Sequence, residues 1–108
     1  MVGDFNFCST NATENGNIPK DFKDVWPEVR GEDPGWTEDT AINRMHFNQK
    51  REHKQVRIDR VLISQEGVSN ELQWIPESIQ LEGTEPIDDL PEIWPSDHFG
   101  LLVSFKLN

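Results

Sequence analysis

Apolar residues in this chain come in short runs with long polar stretches between them, and their spacing changes from run to run. Near the end, Leu101, Val103, Phe105 and Leu107 alternate with Leu102, Ser104 and Lys106. That two-residue period predicts a strand over His98–Leu107 with one face better buried. Gln55–Ser64 carries Val56, Ile58, Val61, Leu62 and Ile63 and is also strand-like. Glu71–Leu81 is a further strand region, interrupted at Pro76, and Met1–Phe7 a short buried strand. Phe22, Val25, Trp26 and Val29 fall instead at i, i+3, i+4 and i+7, which predicts a short helix over Lys20–Val29. Pro19 suits its first turn and Gly31 its end, while Pro27 cuts it to about two turns. Ser9–Asn17 is rich in Ser, Thr, Asn and Gly, and Pro34-Gly35 is a turn signal. Thr37–His53 is largely polar and Glu82–Pro95 acidic and proline-punctuated, so both read as loops. No internal repeat and no low-complexity segment is present. The expected picture is mostly β, with one helix and long loops.

Composition adds a constraint. The 108 residues suit one small domain at most. Apolar residues make up 34%, below the ordinary globular share, so the chain is expected to complete its core as part of a larger one. Cys8 is the single cysteine, which excludes an intrachain disulfide and fits a reducing compartment. No apolar run is long enough to cross a bilayer, and no signal-peptide pattern opens the chain. Asn11-Ala12-Thr13 matches a glycosylation pattern that short sequences often meet by chance.

The net charge of −10, from 20 acidic and 10 basic residues, taken alone argues against a nucleic-acid binder, since an acidic surface repels phosphates. The distribution qualifies that. Arg44, Lys50, Arg51, Lys54, Arg57 and Arg60 lie together with His46 and His53, whereas the later part is acidic. A local phosphate site and a solvated loop of mixed charge fit this block equally.

Candidate chemistry gathers at strand ends. Asp4 and Asn6 close the first strand, Asp59 lies within another, and Asp97-His98 opens the last. If these strands share one sheet, the polar groups converge at one rim, where function on a β scaffold usually sits. Asp4 and Asn6 are also favoured residues for capping a turn. Asp59, among Ile58, Val61 and Leu62, is costly to bury unpaired. Either a salt bridge to Arg57 or Arg60 or a hydrogen bond to an imidazole answers that cost.

"GDFN" at Gly3–Asn6, "RIDRVL" at Arg57–Leu62 and "PSDHFGLL" at Pro95–Leu102, in that order, resemble the endonuclease/exonuclease/phosphatase superfamily, the DNase I-like hydrolases. "DVWPEV" at Asp24–Val29, "PGWTEDTAIN" at Pro34–Asn43 and "IPESIQLEG" at Ile75–Gly83 are similar to its 5′-tyrosyl-DNA phosphodiesterase branch. The resemblance implies an α+β fold: a mainly antiparallel sheet with a short helix, half of a four-layer αββα sandwich. Residues 1–108 then correspond to the C-terminal half of the catalytic domain, with the N-terminal half absent. One inner sheet face should be exposed unless a partner covers it.

Carried over residue by residue, the resemblance makes Asp4 the group that positions or deprotonates the attacking water. Asn6 donates hydrogen bonds to the scissile phosphate. His98 contacts the phosphate and stabilises its growing charge, or acts as acid, and Asp59 orients His98. Asp97 lies at the metal side, with Mg²⁺ the expected cofactor and Mn²⁺ its substitute. Arg57, within the basic block, and Trp36, beside the Pro34-Gly35 turn, are the candidate substrate-binding residues; for Trp36 base stacking stands against plain packing.

Two departures stand out. The family's principal metal-binding Glu and an earlier Asn belong to the N-terminal half, and Cys8 stands where the tyrosyl-DNA enzymes carry an Arg. The expected parent is an Mg²⁺-dependent phosphodiesterase acting on nucleic acid in DNA repair, intracellular in nucleus or cytoplasm, with this fragment inactive alone. Its expected partners are a nucleic acid or another phosphodiester and the N-terminal half, with no membrane. The alternatives are a catalytically silent fragment or interaction module, and a sugar- or inositol-phosphate phosphatase of the same superfamily. The retained motif residues favour the enzyme, the absent half favours silence, and the basic block favours DNA over a sugar phosphate.

Overall fold

The computed structural model describes residues 1–64 and 73–107. In chain order the first elements are β1 (Val2–Asp4), α1 (Ala12–Asn15), β2 (Phe22–Asp24), α2 (Val25–Arg30) and β3 (Glu38–Asp39). Then come α3 (Met45–Lys50), β4 (Gln55–Val56), β5 (Asp59–Ser64), β6 (Trp74–Glu82) and β7 (Gly100–Leu107). The class is α+β, and every strand pairing among the described residues is antiparallel.

Strand β5 organises the first half. Its start pairs with β1, Asp4 opposite Asp59, and its end with β2, Asp24 opposite Leu62, in the order β1-β5-β2. Strands β3 and β4 make a second small ladder, and β6 and β7 a long hairpin of their own. The strands therefore do not share one sheet: β7 pairs with β6, with Ile79 opposite Val103 and Leu81 opposite Leu101. The register shifts between Pro76 and Ser78, because proline cannot donate to the ladder. The strand expected over Glu71–Leu81 begins at Trp74 in the described part; Glu71 and Leu72 lie outside the described residues.

The helix expected over Lys20–Val29 is split. Phe22–Asp24 is drawn into β2, and α2 starts only after it. The Asp24 side chain accepts the Trp26 N–H at 3.3 Å and caps the helix. Pro27 thus falls in the first turn, where its missing N–H costs nothing. Two expected loops also contain structure. Asn11, the residue of the glycosylation pattern, caps α1 by accepting the Glu14 N–H at 3.0 Å. Thr37–His53 holds β3 and α3. Both were hidden because side-chain hydrogen bonds rather than apolar periodicity hold them.

The apolar core lies between α2, β5 and the hairpin. Val25, Trp26, Val61 and Ile79 form it, with Val29, Ile63, Leu81, Leu101 and Val103 packed around. Gly35 (φ +60°) lies flat on the Trp26 ring, and an added Cβ would stand 2.2 Å from Trp26 Cε2. Only glycine fits both the dihedral and the contact. Beyond this core much apolar surface is bare: Val2 is 72% exposed, and Trp74, Leu102 and Leu107 are exposed too. A groove of about 470 Å³ opens between β1, β5 and β7, lined by Val2, Val61, Phe99, Leu101, Val103 and Phe105. The radius of gyration is 15.7 Å. A compact chain of this length would measure about 13 Å. The low apolar share is thus matched by an incompletely closed core.

Candidate active site

The half-buried acid of β5 finds an imidazole. Asp59 Oδ2 lies 2.7 Å from His98 Nδ1, although the two residues are 39 positions apart. The arginines near Asp59 bond Asp24 instead. Arg57 Nη1 and Nη2 donate to Asp24 Oδ1 and Oδ2 at 2.9 and 2.8 Å. Arg60 Nε and Nη2 donate to Asp24 Oδ2 at 3.0 and 2.8 Å. Burial alone would raise the Asp24 pKa, but the hydrogen bonds and charges of Arg57 and Arg60 hold it below the ordinary carboxylate range.

His98 reaches Asp59 without any β5–β7 ladder, through a clasp built on Thr37. The Thr37 hydroxyl accepts the Ile58 and Asp59 N–H groups, each at 3.1 Å. Its carbonyl accepts the Phe99 N–H at 2.7 Å, and its own N–H donates to the Val56 carbonyl at 2.9 Å. Asn43 Nδ2 donates to the Ser96 carbonyl at 2.7 Å, and the Ser96 hydroxyl oxygen accepts the His98 N–H at 3.1 Å. Thr37 and Asn43 are fully buried. Sequence reading missed both as positioning residues. Both lie in Pro34–Asn43, a stretch whose polar character disguised its burial.

A further residue was missed on the opposite edge of the imidazole. Glu38 Oε1 stands 3.3 Å from His98 Nε2, and the Glu38 side chain is only 5% exposed. Its Oε2 is 3.8 Å from His46 Nδ1, and its Oε1 is 4.0 Å from Lys54 Nζ. Burial alone would lower the His98 pKa. The Asp59 hydrogen bond and the charges of Asp59, Glu38 and Asp97 outweigh that and raise it, favouring the imidazolium.

Asp4 does close a turn, as its residue type allows: Oδ1 accepts the Asn6 N–H at 2.8 Å, and Asn6 has φ 59°. It also stands beside the pair across the β1–β5 ladder. Asp4, Asp59 and His98 each offer one ligand atom, and these atoms lie within 4.8 Å of one another. Asp97, half-buried, has Oδ1 3.5 Å from the Ser96 hydroxyl. Trp36 and Arg57 line a separate cleft of about 250 Å³ that also includes Cys8 and Gln55. Arg57 is buried there with its guanidinium on Asp24. Among the described residues the acidic cluster does not by itself make a magnesium site. Its third donor is a nitrogen of the His98 imidazole, a ring that is itself bonded to Asp59, whereas Mg²⁺ takes oxygen ligands in a near-octahedral shell.

No family model matches the chain. Tyrosyl-DNA phosphodiesterase 2 of Xenopus tropicalis is 35% identical over 109 residues, covering 97% of this chain and 27% of the relative. The Xenopus laevis protein of the same name is 34% identical, with the same 97% and 27% covered. The chain thus spans about a quarter of the length of these relatives. Among solved structures, D. rerio TDP2 complexed with single strand DNA product superposes with a TM-score of 0.74 at 25% identity. It covers 97% of this chain and 40% of that one. A humanized D. rerio TDP2 gives 0.72 at 24% identity, covering 97% and 38%, and supports the fold.

Proposed function

We propose that this chain belongs to the endonuclease/exonuclease/phosphatase (DNase I-like) superfamily and is the C-terminal half of a domain that hydrolyses a phosphodiester, a reading supported by its likeness to the tyrosyl-DNA phosphodiesterase 2 proteins. The bond best suited to it is a 5′-phosphotyrosyl link to DNA. The carrying observation is the 2.7 Å Asp59–His98 pair with Asp4 beside it, built from three distant motifs. In this reading Asp4 positions the attacking water. Asn6 and the His98 imidazolium meet the charge that grows on the phosphate oxygens. Asp59 fixes the His98 ring, and Asp97 lies beside it on the metal side. Trp36 and Arg57 belong to the substrate side, with Arg57 acting through its cleft rather than as a free cation. The nucleic-acid substrate is inferred from the relative whose structure holds a single-strand DNA product, and a DNA-repair role in nucleus or cytoplasm goes with it. Metal dependence, on Mg²⁺ or Mn²⁺, belongs to the assembled domain, where the N-terminal half adds ligands and covers the groove beside β7.

A second reading, a silent fragment or interaction module, is favoured by the incomplete donor set and the bare apolar groove. The deciding assay is hydrolysis of a 5′-tyrosyl oligonucleotide and an aryl phosphodiester with Mg²⁺. It uses the chain alone and then with a complementary N-terminal half. Turnover only in the combination is expected. No turnover in either, with folding verified by circular dichroism, would leave the interaction module standing.

A further inference from the structure

The Nε2 edge of His98 is where the proposed reaction needs a phosphate oxygen, because Asp59 occupies Nδ1. In the structure that edge faces Glu38 at 3.3 Å. A carboxylate buried to this degree needs partners. Glu38 has three cationic or ionisable ones, His98, His46 and Lys54, and His46 is in turn 3.4 Å from Glu52. Its backbone cannot leave: Glu38 pairs with Val56 in the β3–β4 ladder, next to the Thr37 clasp. The side chain can turn from His98 toward Lys54 and His46 without losing all its charge partners.

We propose that Glu38 is a positioning residue that holds the Nε2 edge of His98 in the absence of substrate and yields it to a phosphate oxygen on binding. This rests on the phosphodiesterase reading of the site. With Asp59 on one nitrogen and Glu38 on the other, the imidazole is fixed at both edges before any substrate arrives. Such preorganisation removes a search over ring orientations. The same contact makes an entering phosphate compete with a negative group, so it weakens ground-state binding. Removing the Glu38 charge should therefore tighten phosphate binding while loosening the ring.

The test is nuclear magnetic resonance of the 108-residue chain with ¹⁵N-labelled histidine, comparing wild type, Glu38→Gln and Glu38→Asp. In the free chain Glu38→Gln should move the His98 Nε2 resonance and leave Nδ1, held by Asp59, nearly in place. The shorter Glu38→Asp should move Nε2 part of the way. An intact Phe99 amide signal reports that the clasp is folded in each variant. Inorganic phosphate is then titrated, and Nε2 of Glu38→Gln should saturate at a concentration about tenfold lower than wild type, the scale of one charged hydrogen bond. An Nε2 resonance indifferent to both substitutions, equal phosphate affinity in wild type and Glu38→Gln, or no response to phosphate in either, overturns the proposal. Hydrolysis is not read here, so failure of the phosphodiesterase reading appears only in the assay of the assembled domain.

Discussion

Two regions of this molecule bury themselves by opposite means. Around α2 and the β6–β7 hairpin, Val25, Trp26, Ile79 and their neighbours exclude water by apolar contact. In Thr37–Asn43 the buried residues are Thr37, Glu38, Asp39, Thr40 and Asn43, each polar. Among the described residues no buried side-chain polar atom lacks a hydrogen-bond partner. The apolar region is non-directional and can absorb small changes of shape. The polar region is directional, and each of its groups costs most when its partner alone is removed. His98 is tied to the second region, so its own place in the site is set by hydrogen bonds, whereas Asp4 meets Asp59 through the β1–β5 ladder.

The sharpest way to separate the two is at the chemistry itself. In the assembled domain, His98→Ala or Asp4→Ala should lower kcat by about 10³-fold or more, the scale of lost acid–base and electrostatic groups. Asp59→Asn should cost less, since it disturbs the ring without removing it. Near-wild-type turnover in either alanine variant would sink the assignment. Next in size is Asp24, whose loss strands Arg57 and Arg60 in a buried place. Asp24→Asn should destabilise the fold by about 3–5 kcal/mol, read from urea midpoints near neutral pH. Its folded pKa is lowered, so its stabilisation is complete above the unfolded value of about 3.9 and is lost progressively as pH falls from there through the lowered folded value. The variant should show a flatter acid limb than wild type; parallel acid limbs would mean Asp24 is not the group responsible.

A matched pair then compares the regions directly. Thr37→Val keeps shape but strands the Ile58 and Asp59 amides, and should cost about 2–4 kcal/mol. Ile79→Val removes one methylene from the apolar core and should cost about 1 kcal/mol. Equal losses in denaturant titration would erase the distinction between the regions.

The apolar half was largely legible in advance. The alternation of Leu101, Val103, Phe105 and Leu107 placed β7, while the need of Asp59 for a partner left Arg57, Arg60 and an imidazole all open, and only the family resemblance singled out His98. What stayed hidden depends on long-range choices that local pattern does not encode. Asp24 reads as an ordinary helical residue, yet it ends β2, caps α2 and holds two arginines from β4–β5. The arginines beside Asp59 therefore could not be assigned to it or away from it by spacing. The loop-like Thr37–His53 carries β3 and α3 because Thr40, Asn43 and their backbone partners replace the apolar signal that pattern reading needs. Whether the strands formed one sheet or several was likewise set by pairing at a distance, and β7 chose β6.

The Thr37 clasp also bears on time. The amides of Thr37, Ile58, Asp59 and Phe99 all depend on this one residue, two through its hydroxyl, one through its carbonyl and one by its own donation. An opening that frees Thr37 frees all four at once, and hydrogen exchange should show them leaving protection as a group. Asp59 lies inside that group, and His98 is the immediate neighbour of Phe99. The backbone under Asp59 and that next to His98 are therefore expected to share one lifetime, that of Thr37's attachment.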